Sequence, residues 1–151
     1  MNFILTSFIF AKSNIPVLTE EIYYQQVQFL IAKSTKDYNE AKREAINLSK
    51  KLNITLNLRD LQFNKKSFLS FDRKICEDNL YDYPCYMPRG RYDDGEYISI
   101  EHTNSYKDFK DGYYMIVVAS GIDLDNILKK VKKSVKDVYI KSTNIYMGSI
   151  R

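Results

Sequence analysis

The sequence predicts one α+β domain, an antiparallel sheet with two helices on one face, plus an inserted disulfide-closed loop and an extra strand. Three observations predict it. The chain has 151 residues, 44% hydrophobic and 28% charged, which is one domain's worth with enough apolar surface to bury a core. Apolar residues change from a period of two to a period near 3.6 and back again, twice along the chain. The two stretches that do this flank a segment, 64–111, of different character that holds both cysteines.

Phe3 to Ala11 (FILTSFIFA) opens the chain with a mostly apolar run, followed by Lys12 and Ser13. It is too short for a membrane-spanning helix, which needs about 20 residues, but long enough for the apolar core of a signal peptide. Residues 1–11 are therefore expected to be a signal peptide or its remnant; the alternative is a buried first strand. The domain itself is expected over 20–151.

Ile22 to Lys33 reads as the first strand, with Tyr24, Gln26 and Gln28 on one side and Tyr23, Gln25, Val27, Phe29 and Ile31 on the other. Ser34-Thr35 offers a cap for a helix over Lys36 to Leu52, where Tyr38, Ala41, Ala45, Leu48 and Leu52 fall on one face. Lys50 and Lys51 complement the dipole at its end. Ile54 to Arg59 (ITLNLR) alternates at period two and is expected to be the second strand, running on to Phe63.

Cys76 and Cys85 are the only cysteines, in a stretch rich in Tyr, Asp and Pro rather than apolar residues. That setting suits a disulfide closing a surface loop, contributing roughly 2.5–3 kcal/mol by restricting the unfolded chain; the alternative is two unrelated buried thiols. A disulfide and a signal peptide both imply an oxidising compartment, periplasmic or secreted. Arg89-Gly90-Arg91 and Asp93-Asp94-Gly95 read as turns, and Tyr97 to His102 as a short added strand.

The second unit repeats the first. Tyr113 to Ala119 (YYMIVVA) reads as a central strand buried on both faces. Leu124, Ile127, Leu128, Val131 and Val135 make a helical stripe, and Val138 to Tyr146 closes as a strand. Two strand–helix–strand units in one sheet give β-α-β-β-α-β, the ferredoxin-like arrangement. Right-handed crossovers then set both helices on one face and leave the other open to a ligand.

The pieces YYQQVQFLIAKS, DYNEAKREAINLSKKL and ITLNLR in the first unit, and YYMIVVASG, LDNILKKVKKSV and VYIKST in the second, resemble the SPOR domain, a small peptidoglycan-binding module. The resemblance covers roughly Tyr23–Phe63 and Gly112–Tyr146. Tyr24, Val27 and Gln28 match its aromatic and Val-Gln positions, and Tyr113 and Tyr114 the aromatic start of its third strand. That family joins its middle strands by a short hairpin, where this chain carries 64–111. The resemblance implies an envelope location and a non-catalytic domain binding glycan strands through the exposed sheet face, with Tyr24, Gln26, Gln28 and Tyr113 as ligand-binding residues.

Other chemistry is sparse. The lone histidine, His102, has Ser99, Glu101 and Ser105 near it in sequence but no nucleophile-elbow motif, so no catalytic residue is expected. One His and no CxxC leave no zinc site, and Asp93, Asp94 and Glu96 lack calcium-loop spacing; no metal or cofactor is expected. Lys129, Lys130, Lys132, Lys133 and Lys136 make a basic helix face that reads as solvated. A net charge of +4 falls short of a nucleic-acid footprint. The alternative function is a secreted protein-interaction domain, an inhibitor or immunity-type partner, that binds through Tyr81, Tyr83, Tyr86 and Arg89 to Tyr92 in the insert.

Overall fold

A computed structural model describes residues 23–148. The expected signal peptide at 1–11 lies outside these residues.

The main sheet has four antiparallel strands: β1 (Tyr24–Thr35), β4 (Gly95–His102), β5 (Tyr114–Gly121) and β6 (Tyr139–Tyr146), in the order β4-β5-β1-β6. A small hairpin pairs β2 (Gln62–Asn64) with β3 (Phe68–Ser70). Three α-helices, α1 (Tyr38–Leu52), α2 (Arg73–Asp78) and α3 (Asp125–Lys132), complete the described elements with one turn of 3₁₀ helix at Thr103–Ser105.

Helix α1 starts two residues later than the expected Lys36. Asp37 is the N-cap, its Oδ1 accepting from the backbone N–H groups of Asn39 and Glu40. Thr35 instead donates its hydroxyl to Glu40 at 2.8 Å. The helix ends at Asn53, which takes the left-handed conformation at φ 53° that releases the chain from the last turn. Ala41, Ala45 and Leu48 are buried, and α3 buries Ile127 and Val131. Both sets join one core with Leu30, Ile100, Ile116 and Val118, so the two helices cover the same face of the sheet.

Two expectations are corrected. Ile54 to Arg59 is not a strand of the main sheet. Ile54, Leu56 and Leu58 do turn toward the core, but the segment meets β4 through a single bridge at Leu56 and Ile98. Arg59 and Asp60 then adopt φ 59° and 57°, which ends any extended run. The place beside β5 belongs to β4, which was expected only as an added strand. The helix α2 was not expected; Asp72 caps it by accepting from Ile75 N at 2.7 Å.

The second correction concerns the far face of the sheet, which is not open. Val27, Phe29, Ile31, Met115, Val117 and Ile145 form a second core there, sealed by Tyr106 and packed by Tyr86 and Phe109 from the insert. Gly90, at φ +98°, lies directly on this face: a Cβ there would stand 3.2 Å from Val27 Cγ1. Fully burying a side chain such as Phe29 contributes about 1.5–3 kcal/mol, so a strand with apolar residues on both faces attracts a cover on both.

Candidate functional site

The insert is held on the sheet by a buried polar network centred on Glu101 of β4, which has no solvent exposure. Its Oε1 accepts from Arg59 Nη1 at 2.6 Å, from Tyr106 OH at 2.9 Å and from Tyr86 OH; its Oε2 accepts from Ser99 Oγ at 2.7 Å. Arg59 also donates to Asp93 at 2.8 Å and to Met87 O. Burial pushes the Tyr86 and Tyr106 hydroxyls well above the ordinary tyrosine range, and the Glu101 charge adds to it. Both phenols therefore stay protonated donors, which fixes their rings.

Arg89, also wholly buried, plugs an irregularity in the β4–β5 ladder between Glu96 and Ser99. Its guanidinium donates to the carbonyls of Tyr97, Val117 and Gly95 at 2.9, 3.1 and 2.9 Å and to the hydroxyls of Ser99 and Ser120, and lies 3.6 Å from the Tyr97 ring centroid. Backbone acceptors freed by the bulge thus find a side-chain donor.

The disulfide expected between Cys76 and Cys85 is present, with Cα atoms 5.9 Å apart. It ties α2 to the segment 81–88, which is also joined to the residue after β3, Phe71, whose N–H donates to Cys85 O at 2.9 Å. Between this tied insert and the ends of β1 and β6 opens a cleft of about 500 Å³. Phe71, Ile75, Met87 and Ile145 supply apolar wall, and Tyr24, Tyr81, Tyr86 and Tyr146 line it with rings. Among the described residues, the charged ones on its lining are Arg91 and Lys107. Lys107 Nζ donates to Tyr24 OH at 2.7 Å and sits 4.2 Å from that ring's centroid.

The four residues expected to bind glycan are not brought together. Gln28 faces the helix layer, where its Oε1 accepts from Leu124 N at 3.1 Å and stands in for a side-chain cap at the start of α3. Gln26 is exposed on the same strand, and Tyr24 lines the cleft. Tyr113 sits at the opposite end of β1, because Thr35 pairs with Tyr114 while Tyr24 pairs with Tyr146. Eleven strand residues separate those ends by roughly 36 Å. Of the insert residues, Tyr81, Tyr86 and Arg91 line the cleft. Tyr83 turns to Asn64 and to Arg73, whose guanidinium is 4.4 Å from its ring centroid.

Arg59, Glu101, Tyr106, Lys107 and Tyr146 were not singled out as site residues from sequence. The alternation of Ile98 and Ile100 with Ser99 and Glu101, which sets an acid on the face opposite two isoleucines, was the one available signal.

Among the described residues His102 has no serine partner. Its ring stacks on Phe68 with centroids 4.2 Å apart and meets Tyr114 edge-on at 4.7 Å, and its Nδ1 accepts from Asn104 N at 3.3 Å. Burial lowers its pKa, so it stays neutral near pH 7. Among the described residues no three His, Cys, Asp or Glu side chains converge as a metal site, and no helix is long and apolar enough to cross a membrane. No family model matches the chain, and neither a curated protein nor a solved structure matches it.

Proposed function

We propose that the protein is a non-catalytic binding domain of a periplasmic or secreted setting, which holds a segment of a partner protein in the cleft between its disulfide-tied insert and the ends of β1 and β6. The observation that carries this reading is the cleft itself: about 500 Å³, walled by tyrosines and apolar side chains, with two cations and no acid among the described residues that line it. Tyr and Arg are the residue types that anchor protein interfaces, because they desolvate large areas at little cost in side-chain freedom. The disulfide supports an oxidising compartment. The Glu101 network holds the Tyr86 wall in place before any partner arrives, which lowers the ordering cost of binding.

A second reading keeps the resemblance to the SPOR domain and with it peptidoglycan glycan as ligand. The strand order β4-β5-β1-β6 with both helices on one face favours a ferredoxin-like arrangement, β4 serving as its second strand. The cover over the far face weighs against a glycan groove there.

Immobilised protein presented with purified sacculi and, separately, with a periplasmic or culture-supernatant protein fraction tests the choice. The interaction reading expects a protein to be retained by the wild type and released by Tyr81→Ala, and sacculi to pass through. Retention of sacculi that disappears in Gln28→Ala/Tyr113→Ala would replace it with glycan binding.

A further inference from the structure

Three arginines have buried side chains, Arg59 ahead of the insert and Arg89 and Arg91 within it, and two of them meet a full set of charged or polar partners. Arg59 has two carboxylate partners, Asp93 and Glu101. Arg89 has five acceptors and an aromatic face. Arg91 differs. It is 9% exposed, its two Nη atoms donate to the carbonyls of Tyr146 and Gly148, and its Nε has no hydrogen-bond partner among the described residues. No ion pair of the described residues involves Arg91 or Lys107. The nearby acid Asp108 is held by Thr143 Oγ1 and Asn144 N on β6 and is not among the lining residues. A desolvated cation without a counter-charge is costly, and Arg91, which has none among the described residues, borders an apolar cleft whose second cation is Lys107.

We propose that the cleft binds the free C-terminal carboxylate of an apolar-ended partner chain, with Arg91 and Lys107 receiving the carboxylate and the ring-lined walls taking the last side chains. The inference rests on the cleft being the binding site. A carboxylate fits better than a phosphate, because the two cations on the lining, Arg91 and Lys107, are one for each of its two oxygens. A chain terminus fits because its carboxylate stands next to the last side chains of the partner, which the Tyr24, Tyr81 and Tyr86 rings and the Phe71 and Ile75 walls can take when those side chains are apolar.

Titrating the full chain with N-acetyl-Phe-Leu-Leu, with its C-terminal amide and with decanoate, followed by backbone amide chemical shifts, tests this. The free acid is expected to shift Tyr81, Arg91, Lys107 and Ile145 and to bind about tenfold or more tightly than the amide, as loss of a charge-assisted hydrogen bond implies. Lys107→Gln, an exposed change that leaves the core intact, is expected to erase most of that preference. Equal binding of acid and amide, or a preference untouched by Lys107→Gln, overturns the carboxylate assignment and leaves the cleft as a partner site. Binding of decanoate without either peptide overturns the chain-terminus assignment and the partner reading with it. Binding of none overturns the inference, while partner retention sensitive to Tyr81→Ala still decides the function.

Discussion

Glu101 and His102 are neighbours on β4 with opposite surroundings, since successive side chains on a strand point to opposite faces. Glu101 meets four donors on the insert side. Replacing it with Gln leaves Arg59 with one counter-charge fewer and turns an amide donor against hydroxyls that already donate. Glu101→Gln should cost about 3–5 kcal/mol, the range for breaking a buried pair by removing one partner, read as a lower denaturation midpoint in urea. His102 lies between two aromatic rings with its pKa lowered by burial, partly opposed by Asp111. The unfolded chain takes up a proton near pH 6.5, which the folded histidine refuses until lower pH, so stability falls as pH drops below about 6.5. His102→Asn, whose side-chain oxygen can still accept from Asn104 N, should flatten that part of the curve. Thermal melts of both proteins from pH 7.5 to 5 check it: parallel curves would show that His102 contributes no pH dependence.

Among the elements, the sheet strands and the two long helices follow their local patterns, while the insert is organised by cross-links. α2 is six residues long, too short to persist alone in water. It is held by its Asp72 cap, by the buried Cys76 and by the bond from that cysteine to Cys85. Changing both cysteines to serine frees a loop of about ten residues and should cost about 2.5–3 kcal/mol from the larger unfolded ensemble. A urea titration of the double variant measures this. Because segment 81–88 carries the tyrosine wall, the same variant should also weaken partner retention at temperatures where it is still folded. The Ile54–Leu58 segment shows how far pattern alone reaches at this scale. Its alternation correctly places Ile54, Leu56 and Leu58 toward the core, but alternation says nothing about which strand lies alongside. Gly95–His102 satisfies the same requirement with a longer pairing.

For the whole molecule, what could be read directly were the quantities set by local chemistry: an α+β domain, the apolar stripes of α1 and α3, β1, β5 and β6 to within two residues at each end, both helices against one face, and the cysteine bridge. Each depends on side-chain period, on propensity, or on two thiols in one short loop, all of which are written in neighbouring residues. The tertiary structure alone decided that β4 rather than 54–59 enters the sheet, that the insert closes the far face over Val27, Phe29 and Ile31, and that Arg91, Lys107 and Tyr146 meet at one cleft. The apolar second face of β1 was visible in Val27, Phe29 and Ile31, but the identity of its cover was not. Burial demands only a complement of matching shape and satisfied polar groups, and that complement comes from residues some sixty to eighty positions away in a segment with no periodicity of its own. Contacts of that range are settled by the competition among all possible covers, which no local stretch of chain encodes.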